Sequence, residues 1–142
     1  MITDMTHRVA VIDRTVAKTY EWLERLCAEL ETEDRQQAYS ILRATLHAVR
    51  DRIGPEVAVH VAAQLPLLVR GTFYEGWDPE RTPQRMNLDE LVGRVQHEAF
   101  LADPAAAERA VRAVMRVLWD ELAPGTMDHL IAVLPSEYAT VL

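Results

Sequence analysis

Hydrophobic residues recur at helical spacing along most of the chain, and no stretch alternates as a strand would. From Val16 onward Tyr20, Leu23, Leu26, Cys27 and Leu30 mark one face, with Glu21, Glu24, Arg25 and Glu29 mostly opposite. A polar break at Thr32 to Asp34 leads into a second helix, Asp34 to about Arg52, whose stripe is Ala38, Ile41, Leu42, Thr45, Leu46, Val49 and Ile53. Gly54-Pro55 closes it and opens a third, with Val57, Val61, Leu65 and Leu68 inward; Pro66 must end or kink that helix. Asn87 and Glu90 form a capping-box pattern before Leu88, Leu91, Val92, Val95 and Ala99. Asp103-Pro104 and Pro124 then start a fifth and a sixth helix. Residues 1–15 read as an arm, extended or leading into the first helix.

An ungapped internal repeat accompanies this pattern. Ile53-Gly54-Pro55 aligns with Leu122-Ala123-Pro124, Leu65-Pro66 with Leu134-Pro135, and in the same register Arg43-Ala44 meets Arg112-Ala113, Asp51 meets Asp120 and His60 meets His129. The expected fold is therefore all-α: a six-helix bundle of two tandem three-helix repeats with pseudo-two-fold symmetry. Half of such a bundle buries little by itself, so the halves are expected to share a core. The whole of 1–142 then forms a single helical domain, with repeat 1 over about 16–70, a connecting segment over 71–86 and repeat 2 over about 87–142.

Composition narrows the function classes. A net charge of −7, with 14 arginines and one lysine spread among acids, provides no basic run for nucleic acid. No segment is apolar enough to span a membrane and no signal pattern opens the chain. One cysteine, Cys27, fits a reducing compartment, so the expected location is cytoplasmic.

The segments Glu21-Trp22-Leu23, Leu42-Arg43-Ala44 through Arg50-Asp51-Arg52, Ala63-Gln64-Leu65-Pro66, Arg70-Gly71 and Tyr74-Glu75-Gly76-Trp77-Asp78-Pro79 resemble the bacterial domain of unknown function 2267 family. The resemblance runs from about Val16 to the end. It implies a duplicated helical bundle and carries no activity, substrate or catalytic residue.

No phosphate loop, nucleophile elbow or Cys-x-x-Cys pair is present, so no catalytic residue and no cofactor are expected. Cys27 sits in an apolar stripe, as a buried hydrophobe would. His47 reads as a helix-surface residue. His60 and His129, at equivalent repeat positions, could meet across the symmetry axis as weak metal candidates, although no ligand spacing accompanies them. The binding candidates are Arg70, Tyr74 and Trp77, with Gln64 beside them, because Arg, Tyr and Trp dominate binding hot spots and Gly71 and Gly76 permit sharp turns. The opposing structural reading has Phe73 and Trp77 packing over the bundle. Three functions follow: a non-enzymatic binding or regulatory module for another protein, a small-ligand or metal-dependent enzyme with a site between the repeats, or a homodimerising structural protein.

Overall fold

A computed structural model describes residues 7–142 and shows seven α-helices with no strand among them. They are α1 (Ala10–Leu30), α2 (Arg35–Ile53), α3 (Pro55–Ala63), α4 (Leu67–Tyr74), α5 (Leu88–Glu98), α6 (Pro104–Glu121) and α7 (Pro124–Ala132), with short 3-10 turns at Pro79–Arg81 and Ser136–Val141. The helix boundaries follow from local chemistry. Asp34 accepts a bond from Gln37 N–H and Asp103 from Ala106 N–H, satisfying first-turn donors of α2 and α6. The capping box of Asn87 and Glu90 is complete at α5. Glu31 turns left-handed at φ 56° to end α1, and Thr32 N–H bonds the Cys27 carbonyl. Gly54 joins α2 to α3 at φ 85°, where the Pro83 ring lies 3.4 Å from the place a Cβ would take.

One sequence expectation is corrected and another is narrowed. The first half holds one helix more than expected: Pro66 ends α3, and Leu67–Tyr74, the stretch reaching into the predicted connecting segment 71–86, coils again as α4. Val69, Thr72 and Phe73 form its buried face, and their burial outweighs the cost of Gly71 inside an eight-residue helix. Of the two alternatives for the arm, the lead-in to the first helix holds from Ala10, and residues 1–6 lie outside the described residues.

α2 and α6 lie at the centre, each packed on α1 and α5 and on one another, while α3 packs on α7. Small residues, Ala38, Ala44 and Ala48 on α2 and Ala107, Ala110 and Ala113 on α6, are buried on these central helices, where they let neighbouring backbones approach. Around them Trp22, Leu26, Leu42, Leu46, Phe73, Leu91, Met115, Leu118 and Met127 join one continuous hydrophobic cluster.

Candidate functional site

The densest polar constellation is a seam between α2 and the end of α4. Tyr39, Arg43, His47 and Arg50 recur along α2 at spacings of four, four and three residues, so all four share one face. Opposite them α4 exposes the unpaired carbonyls that every helix leaves at its C-terminus. His47 Nε2–H donates to the Thr72 carbonyl at 2.6 Å, and Arg50 Nη1 donates to the carbonyls of Phe73 and Glu75, both at 2.8 Å. Tyr39 and Thr72 share a hydroxyl bond of 2.9 Å, and Arg43 Nε reaches the Glu75 carboxylate at 2.7 Å. Cationic side chains thus meet the negative end of the α4 dipole.

Behind the seam, Arg50 also grips Asp51 through Nε at 2.8 Å and Nη2 at 3.2 Å, and Arg94 of α5 closes on the same carboxylate at 2.7 Å. Arg50 is 3% exposed and Asp51 5%. Burial pushes the Asp51 carboxyl pKa up, but the bonds and charges of Arg50 and Arg94 outweigh it and hold it below the ordinary range. Breaking a pair buried this deeply costs about 3–5 kcal/mol. His47 moves the other way: burial, helped by the charges of Arg50 and Arg43, lowers its pKa against the opposing Thr72 bond. Its 6% exposure corrects the expectation of a surface histidine. α4 is what covers it, and its second half was legible only as part of the connecting segment.

The residues singled out from the sequence go to separate junctions. Arg70 caps α3, donating to the carbonyls of Ala62 (2.9 Å), Leu65 (3.1 Å) and Ala63 (3.3 Å). Tyr74 and Trp77 stack with ring centroids 5.2 Å apart, both half-buried against the core, and Phe73 is fully buried. Gln64 spans from α3 to α7: its carbonyl accepts Ala123 N–H at 2.7 Å and its amide donates to Thr126 Oγ1. His60 and His129, both exposed, stand with ring centroids 6.4 Å apart at an interplanar angle of 67°. Among the described residues no group of three His, Cys, Asp or Glu could hold a metal ion. Cys27 is buried, which raises its thiol pKa.

Apolar surface concentrates elsewhere. Val9, Val11, Ile12 and Val16, at and just before the start of α1, and Leu67 and Leu68, at the start of α4, are exposed. A groove of about 260 Å³ lies between the two helices, lined by Val11, Thr15, Lys18, Pro66 and Leu67 among others. Thr15 Oγ1 accepts the Leu68 N–H at 2.9 Å and so ties α4 to α1 there. No helix of the described residues is long and apolar enough to cross a membrane.

These features define an all-helical bundle whose short fourth helix is held by its neighbours through polar caps. The chain belongs to the family described as "Uncharacterized conserved protein (DUF2267)", whose model matches residues 19–141. The match begins inside α1, so Ala10 to Lys18, with much of the exposed apolar face, precede it. No curated protein matches the chain.

Proposed function

We propose that the chain is a single domain of two tandem three-helix repeats, each followed by a covering segment, acting as a non-enzymatic binding module for another protein in the cytoplasm, without a cofactor. An offset of 69 residues, the spacing from His60 to His129, supports the repeat. It carries Arg25 onto Arg94 and Asp51 onto Asp120, and the ion pairs Arg25–Asp120 and Arg94–Asp51 exchange under it. Pro66 (φ −54°, ψ 149°) and Pro135 (φ −59°, ψ 154°) share a backbone conformation.

The observation that carries the binding role is the exposed apolar surface at the starts of α1 and α4, because concentrated apolar surface marks interaction sites. Val11 and Leu67 line one groove there, and Ile12, Val16 and Leu68 are exposed on the same two helices. Substituting Ile12→Asp together with Leu67→Asp leaves the melting temperature within a few degrees and removes the partner captured by the wild-type protein. Capture of the same partner by this variant refutes the docking role. Sedimentation velocity on the same pair of proteins separates a partner from a second copy: a wild-type dimer that the variant converts to monomer makes the protein a homodimer instead.

A second reading, a metal or small-ligand site between the repeats, is favoured by the 6.4 Å approach of His60 and His129. Calorimetric titration with Zn²⁺ tests it. Heat that disappears in His129→Ala supports the site, and a flat wild-type titration removes it.

A further inference from the structure

The 69-residue offset lays the seam face of α2 on the outward face of α6. Tyr39, Arg43, His47 and Arg50 fall on Glu108, Arg112, Arg116 and Trp119. On α2 this face is filled, since the main chain and carboxylate of Thr72 to Glu75 sit against it. On α6 the 3-10 segment Ser136–Val141 falls where Leu67 to Thr72 fall in the first half. Tyr138 is buried as Val69 is, at 2% and 1% exposure. This segment covers the face only in part: Arg112 Nε reaches the Thr140 carbonyl at 3.3 Å, while Arg116 and Trp119 stay exposed.

Two open cavities lie over the uncovered stretch. One of about 400 Å³ is lined by Arg112, Arg116, Trp119 and Thr140 with Glu29 and Asp120, and one of about 380 Å³ by Arg109, Arg112, Ala113 and Arg116 with Glu29. In a chain of net charge −7 this face gathers three guanidiniums at i, i+3 and i+7. Of the neighbouring carboxylates, Glu108 is held by Arg112 and Asp120 by Arg25, while Glu29, which lines both cavities, offsets one of the three guanidiniums without pairing with any. Arg109 and Arg116 likewise have no ion-pair partner among the described residues. Trp119, 40% exposed, adds an aromatic plane beside them.

We propose that this α6 face docks an acidic peptide segment of a partner protein. The segment would place a carboxylate and free main-chain carbonyls on Arg112 and Arg116, as Glu75 and its neighbours do on Arg43, His47 and Arg50. Arginine forks suit carboxylates and carbonyls together, and Arg and Trp are over-represented among residues that dominate binding energy. The inference rests on the correspondence of the two halves. Superposing residues 19–73 on 88–142 of an experimentally determined structure tests that correspondence alone.

The probe is a fluorescein-labelled peptide Tyr-Glu-Gly-Trp-Asp-Pro, the sequence of residues 74–79, titrated into the full chain by anisotropy. A neutral version with Gln for Glu and Asn for Asp serves as the comparison. The acidic peptide is expected to bind at least ten times more tightly than the neutral one, and more weakly as salt rises. Arg112→Glu with Arg116→Glu is expected to abolish binding. Arg81→Glu, on the exposed connection, is expected to leave it unchanged. Absence of binding, equal binding of both peptides, or binding that survives Arg112→Glu with Arg116→Glu overturns the docking proposal and leaves the symmetry standing. A wild-type dimer that this double variant splits into monomers overturns it too, by making a second copy the occupant.

Discussion

At the scale of single residues, His47 has the clearest functional consequence. In the unfolded chain it titrates near pH 6.5, and in the fold its pKa is lower, chiefly because it is buried. Between those two values the unfolded chain holds a proton that the folded chain does not. Its stabilising contribution is therefore complete above about pH 6.5 and is lost as the pH falls below that value. Asp51, whose folded pKa is lowered by Arg50 and Arg94, adds a second acid-sensitive contribution, present above about pH 3.9 and lost beneath it. The melting temperature of the wild type should accordingly drop more between about pH 7.5 and 5.5 than that of His47→Gln, which carries no titrating ring. Parallel drops would show that the imidazole does not titrate on unfolding. No reading of α2 by itself finds this residue buried, because what buries it comes from 25 positions further along the chain.

Among the elements, α4 shows how glycine can mislead and where it matters. Gly71 lies inside a helix, and a methyl group placed on its Cα would meet nothing within 4 Å, so only its conformational freedom opposes coiling. Gly71→Ala should raise stability by about 0.5–1 kcal/mol in urea unfolding. Gly54→Ala should lower it by about 1–3 kcal/mol, since φ 85° with ψ 166° is a conformation nearly confined to glycine and the Pro83 ring is already close. Equal effects at the two sites would refute this account. The helices with full caps, α2, α5 and α6, were legible because Asp34, Asn87 and Asp103 act on donors within their own first turn. α4 was not, because Pro66 and two glycines imitate a linker while its stabilising partners, Thr15 and Arg50, lie far off in sequence.

Across the whole molecule, the all-helical class was legible from the 3.6-residue period alone. The candidate site was not. Arg70, Tyr74, Trp77 and Gln64 carry the residue types of a binding surface, yet Arg70 and Gln64 are committed to helix junctions and the two rings to each other. The seam did leave a signal: Tyr39, Arg43, His47 and Arg50 recur as one polar row beside the apolar stripe of Ala38, Ile41, Leu42, Leu46 and Val49. At the centre, Thr45 is fully buried and its hydroxyl has no hydrogen-bond partner among the described residues, while the position 69 residues on is Val114, also fully buried. Thr45→Val should stabilise the protein by about 1 kcal/mol by removing an unpaired polar group at nearly constant shape. A loss of stability in thermal or urea unfolding would contradict the correspondence at that site.

The capping of α4 by its neighbours also has a kinetic meaning. An eight-residue helix with an internal glycine has almost no persistence of its own in water. Its amide protons are therefore shielded for only as long as Thr15, His47 and Arg50 stay engaged. α4 is expected to open as one unit when those bonds let go, and the protection of its amides against deuterium then measures the free energy with which its neighbours hold it closed.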